Sequence, residues 1–128
     1  MALEQNGIIQ VEEDELKVLI ERKEKEPIII DVREPFEYEE AHIPGLPLIP
    51  MQSIPNMIDQ LDKDSTYLFV CRSGGRSQSV AEFMQEQGFK HVQNFAGGML
   101  SWTGETESGL EWVVRDGKEL VDFPRENK

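Results

Sequence analysis

Unbroken apolarity in two short runs limits what this chain can fold into. Ile28-Ile29-Ile30, continued by Asp31-Val32, and Tyr67-Leu68-Phe69-Val70 carry consecutive apolar side chains. Successive strand residues face opposite sides, so a strand with one wet face alternates. An unbroken run predicts a strand covered on both faces, as in a parallel sheet. Helical patterns lie around these runs. Glu12 to Lys25 reads as a helix, with Leu16, Leu19 and Ile20 on one face. Its acidic first turn (Glu12, Glu13, Asp14, Glu15) suits the positive end of the helix dipole, Lys23 and Lys25 sit near the other end, and Pro27 stops it. A second helix is expected from about Arg76 to Gln87, with Val80, Phe83, Met84 and Gln87 on one side and Gly88 as its cap. Ile8-Ile9 and Val92 to Phe95 supply further strands. Strands alternating with helices predict the α/β class with a mostly parallel sheet.

The remaining segments read as connections. Glu34 to Pro50 is acidic, then rich in proline (Pro35, Pro44, Pro47, Pro50), which predicts loop with a short strand at Leu48 and Ile49. Ser53 or Asn56 is placed to cap a short helix reaching Leu61. Ala96-Gly97-Gly98-Met99 breaks the Val92–Phe95 strand, and a short helix containing Trp102 follows. Beyond Gly109, Asp116-Gly117 lies between two β-prone runs, so Trp112 to Val121 is expected to form a hairpin packed on the edge of the domain. The organisation expected is a domain over residues 1–108 and a C-terminal extension over residues 109–128.

Bulk properties exclude several functions. A chain of 128 residues fits one domain with its own core. Its net charge of -12 opposes approach to nucleic acid and to anionic membrane surfaces. No apolar stretch reaches membrane-spanning length, and Met1 to Gln10 lacks the pattern of a signal segment. One cysteine and two histidines make neither an internal disulfide nor a Cys/His metal set, so no metal and no cofactor is expected. A lone thiol suits a reducing compartment, and the expected location is cytoplasmic.

That single cysteine is where the chemistry gathers. Cys71 stands where a buried strand ends and a helix begins, the usual ligand position in open α/β sheets. The helix N-terminus offers unpaired N–H groups. Ser73, Gly74 and Gly75 are small, and the glycines allow φ > 0, so successive N–H groups can turn inward. Arg72 and Arg76 form the only cationic pair in a short window without acids. Together these favour a thiolate, and they suit a small anion better than a polyanion.

Cys71-Arg72-Ser73-Gly74-Gly75-Arg76-Ser77 resembles the active-site loop of the rhodanese family. Asp31-Val32-Arg33-Glu34 with Glu37-Tyr38, then His42-Ile43-Pro44-Gly45 with Ile49-Pro50, and Phe95-Ala96-Gly97-Gly98 with Trp102 are similar to three further family segments, in the same order. The resemblance spans about residues 8 to 104. Ala41 and Leu46 depart from it, standing where the family usually has small Gly and Ala. It implies a five-stranded, mainly parallel, doubly wound sheet with helices on both faces. It also implies a sulfurtransferase whose Cys71 accepts sulfur as a persulfide. By the same carry-over, the backbone from Arg72 to Ser77 would cradle the persulfide. Arg72 and Arg76 would attract thiosulfate or another small sulfur-bearing anion. Asp31, Arg33 and Glu37 would brace neighbouring loops, and His42 would be structural. A thiol, a protein persulfide or cyanide would serve as donor or acceptor.

Two rival readings compete with sulfur transfer. A phosphatase or arsenate reductase of similar fold carries one more residue between Cys and Arg, and that residue adds up to about 3.5 Å of contour. The Cys71-x4-Arg76 spacing suits a terminal sulfur better than a tetrahedral oxyanion. A non-catalytic binding module would be expected to lose the nucleophile or the loop charges, and both are present.

Overall fold

The structure, a computed structural model, describes residues 3–122. Its centre is one five-stranded sheet: β1 (Leu3–Gln5), β2 (Ile8–Val11), β3 (Ile28–Asp31), β4 (Thr66–Val70) and β5 (His91–Phe95), in the order β1-β2-β5-β4-β3. All pairs are parallel except β1 with β2. Helices α1 (Glu13–Arg22), α2 (Pro35–Glu40), α3 (Ile54–Met57), α4 (Gly75–Glu86), α5 (Gly98–Ser101) and α6 (Lys118–Asp122) surround it.

The unbroken runs behave as two-sided strands. Ile30, Tyr67, Phe69 and Cys71 join Ile54, Val80, Ala81 and Met84 in one core cluster, beneath α3 and α4. Ile29, Leu68 and Val70 face the other way and join Leu16, Ile43, Leu46 and Phe95, beneath α1. Neighbours in sequence therefore feed opposite cores, and neither face of the central strands stays wet. Leu48 and Ile49 run along the outer edge of β3, where Asp31 N–H donates to Pro47 O and Ile49 N–H donates to Asp31 O, both at 2.9 Å.

Five elements differ from expectation. Pro35–Glu40, expected as loop, forms α2, because Pro35 suits a first helical turn and Glu37 closes a capping box with Glu34. Trp102, expected inside the short helix after β5, instead follows α5 in extended backbone. The first helix ends at Arg22 instead of Lys25. Lys23 adopts a left-handed φ of 54° and caps it, four residues before Pro27. The N-terminal strand has an antiparallel partner, joined through Asn6 (φ 54°) and Gly7 (φ 82°). Asn-Gly with two positive φ values is the two-residue turn that matches strand twist.

The expected C-terminal hairpin is absent. Trp112–Val114 instead runs parallel to Leu48, with Leu48 N–H donating to Trp112 O and Val114 N–H to Leu48 O. Asp116-Gly117 then opens α6. Neither residue has positive φ, so the hairpin turn cannot form there. Asp116 Oδ1 accepts from Lys118 N–H, while Glu119 Oε2 accepts from the Asp116 and Arg115 N–H groups. The four residues Asp116 to Glu119 thus make a reciprocal cap, and Glu119 three places after an N-cap aspartate is its sequence signature. Gly117 lies against Gln60, to which its N–H donates.

Candidate active site

The C-terminal ends of β3, β4 and β5 lie side by side, and Cys71 follows β4 directly. Its side chain is fully buried. The backbone then turns at Gly74, with φ 97°, and enters α4 at Gly75. Gly74 N–H donates to Cys71 Sγ at 3.1 Å, and the Ser77 hydroxyl lies 3.2 Å from the same sulfur.

Glycine is required here for a second reason. A Cβ on Gly74 would lie 2.1 Å from Ala96 O, and one on Gly98 would lie 2.4 Å from Arg72 O. The loop after β5 is thus pressed backbone to backbone against the cysteine loop. Met99 N–H donates to Cys71 O and Leu100 N–H to Arg72 O, both at 2.9 Å. This contact explains why the Phe95–Gly98 segment and the Cys71–Ser77 segment belong to one site.

Burial pushes the Cys71 thiol up. The Ser77 hydroxyl and the N–H groups of Ser77, Gly74 and Ser73 act against it and hold the thiol below its ordinary value. These donors belong to the loop and the first turn of α4, with the Ser77 hydroxyl the leading one and the backbone N–H groups behind it.

The two arginines are placed differently. Arg72 is exposed, as are Ser73 and Gly75. Arg76 is gripped from α2: its Nη1 and Nη2 donate to Glu37 Oε1 and Oε2 at 2.8 and 2.9 Å. Arg76 hydrogen bonding holds the Glu37 carboxyl down at about 2, against the upward push of burial and with help from the Glu34 N–H. Glu37 therefore ties α2 to the cysteine loop and offsets the Arg76 charge. Asp31 and Arg33 form a second brace at the end of β3. Arg33 Nε and Nη2 donate to the Asp31 carboxylate, and Nη2 also reaches Ala41 O at 2.8 Å.

His42 is buried and stacks on Tyr38 with ring centroids 3.8 Å apart. Its Nδ1 contacts Tyr38 O and its Nε2 contacts Glu111 Oε1, each at 2.9 Å, so both ring nitrogens are committed away from Cys71. Glu107 lies close enough to complete a His-Glu-Glu group of metal-ligand type, which a count of Cys and His alone overlooks. His91 is exposed at the opposite end of β5.

Sequence reasoning missed a buried polar row under α4. Ser77 Oγ lies 2.5 Å from Asn94 Oδ1, and Asn94 Nδ2 donates to Gln10 Oε1 and to Gly74 O. Gln10 in turn donates to Gln78 Oε1. Asn94 and Gln10 come from β5 and β2, at positions that read in the sequence as ordinary polar alternation.

A family model described as rhodanese-like domain matches residues 12–105. The Bacillus subtilis protein named "Putative sulfurtransferase YtwF" is 50% identical over 92 residues, covering 72% of this chain and 87% of that one. The Coxiella burnetii "Thiosulfate sulfurtransferase GlpE" is 38% identical over 80 residues, covering 62% and 75%. The crystal structure of a rhodanese-like domain protein from Staphylococcus aureus matches with a TM-score of 0.67 at 36% identity, over 77% of this chain and 96% of that one.

Proposed function

Because the chain belongs to the rhodanese-like domain family, we propose that it is a sulfurtransferase in which Cys71 carries the sulfur as a persulfide. The observation that carries this reading is the convergence of the Gly74 N–H and the Ser77 hydroxyl on a buried Sγ at the end of a parallel strand. Relatives named as sulfurtransferases agree with it.

The chemistry is two displacements. The Cys71 thiolate attacks the outer sulfur of a donor such as thiosulfate. The new bond joins Sγ to that sulfur, the bond to the sulfonate group breaks, and sulfite leaves with the electron pair. The negative charge now sits on the outer sulfur, toward the N–H groups of the Arg72–Ser77 cradle. An acceptor nucleophile then takes the outer sulfur, and the electron pair of the broken S–S bond returns to Sγ.

Arg72, exposed beside the cradle, draws in the anionic donor, while Arg76 is held by Glu37 and shapes the loop. The chain has one cysteine, so release needs an outside nucleophile. A reducing compartment such as the cytoplasm suits this exchange. Among the described residues no helix is long and apolar enough to cross a membrane.

The test is Cys71→Ser assayed with thiosulfate and cyanide. The variant should fold as the parent and lose sulfur transfer, and neither protein should hydrolyse aryl phosphates. Full transfer by the variant would refute the role of Cys71. Cysteine-dependent phosphatase activity would replace sulfur transfer with phosphoryl chemistry.

A further inference from the structure

The row of side chains behind Ser77 poses a counting problem. Ser77 is completely buried and Asn94 is 2% exposed. The Ser77 hydroxyl has one proton, yet it faces two groups that want it: Cys71 Sγ at 3.2 Å and Asn94 Oδ1 at 2.5 Å. The orientation of Asn94 follows from its other neighbours. Gly74 O can only accept, so the amide nitrogen must face it, 3.2 Å away. The same nitrogen donates to Gln10 Oε1 at 2.9 Å. Gln10 is fixed in turn, because its Nε2 donates to Ile8 O and to Gln78 Oε1. Asn94 therefore presents an acceptor, and only an acceptor, to Ser77.

We propose that Asn94 is a positioning residue for Cys71 that acts through Ser77, whose hydroxyl is a two-position donor. When the sulfur is a thiol, S–H donates to Ser77 Oγ and the Ser77 proton goes to Asn94. When Sγ is an anion, the hydroxyl turns onto Sγ and leaves Asn94. When Sγ carries a second sulfur, its charge has moved outward and the proton returns to Asn94. Sγ is anionic as the attacking group in loading and as the leaving group in release, so the hydroxyl swings once in each half-reaction. Asn94 offers the competing acceptor and thereby limits how strongly the site favours the anion. That limit is useful, because a thiolate made too stable is a poorer nucleophile.

This role rests on Cys71 being the reacting sulfur, but its test does not require sulfur transfer. The charged group acting on Cys71 is Arg76 of α4, paired with Glu37 of α2, and both stay in every variant, as does the exposed Arg72 of the loop. The experiment is the pH dependence of Cys71 alkylation by iodoacetamide in the full chain. Ser77→Ala removes the donor and should slow alkylation on the acid side of the midpoint by about fivefold, the weight of one hydrogen bond. Asn94→Val removes the competing acceptor and should speed it there, the opposite sign. In the Ser77→Ala background, Asn94→Val should do nothing.

A merely structural Asn94, holding the loop through Gly74 O, predicts slower alkylation in both single variants and an effect that persists without Ser77. Either of those results, or no change in Asn94→Val, overturns the proposal. If Asn94→Val does not fold, the parent protein supplies the answer. The Asn94 side-chain amide signals in a nitrogen–proton NMR spectrum should titrate with the alkylation midpoint and stop doing so in Ser77→Ala. Signals that do not follow that midpoint in the parent refute the coupling.

Discussion

At Glu37 one carboxylate serves two partners, the Arg76 guanidinium and the Glu34 N–H. Its carboxyl lies near 2 in the folded chain against an ordinary value of 4.5. A depressed value means stability that is present above 4.5 and lost as pH falls toward 2. Melting temperature should therefore drop across that window, and Glu37→Gln should show a shallower drop from a lower starting point. Equal slopes in thermal melts of the two proteins would mean that Arg76 does not hold this carboxylate in solution.

Residues of this kind divide into those a sequence displays and those it hides. Cys71 and its loop are legible because small residues, positive charge and a strand end coincide in seven positions. Asp31, Arg33 and Glu37 are legible only through the resemblance, since isolated acids and arginines fit any surface. Asn94 and Gln10 are hidden: nothing local marks a polar strand residue as facing a helix instead of water.

At the scale of elements, turn chemistry explains both the successes and the errors. Asn6-Gly7 and Asp116-Gly117 look alike in the sequence. The first makes a hairpin, with both residues at positive φ. The second starts a helix, because Glu119 stands three places after Asp116 and completes a reciprocal cap. Local competition between a turn and a cap decided the outcome, and the glutamate was the deciding residue. Asp116→Ala removes the aspartate half of the cap and should cost about 1 kcal/mol of stability by denaturant unfolding. An unchanged midpoint would show that α6 is held by packing alone.

For the molecule as a whole, the parallel sheet brings the cysteine loop, the Gly97-Gly98 loop and the β3 brace to one edge. This convergence follows from strand order, which the unbroken apolar runs suggest but do not specify. After Gly109, Trp112, Val114 and Leu120 pack against this frame. Val114 and Leu120 are buried in the same cluster as Ile8, Ile30 and Tyr67. Leu120→Ala should lower stability by about 2–3 kcal/mol, the lower part of the range for buried leucine, while sulfur loading continues. Loss of loading in a folded Leu120→Ala protein would tie the C-terminal segment to the chemistry itself.

Intact-protein mass spectrometry under anaerobic conditions tests the central claim most directly. The protein is weighed as purified, after thiosulfate, and again after a small thiol. A Cys71 persulfide predicts a gain of one sulfur atom with thiosulfate, retention of that mass in buffer, return to the starting mass with thiol, and no gain in Cys71→Ser. No gain in the parent protein, or an equal gain in Cys71→Ser, would contradict a persulfide on Cys71.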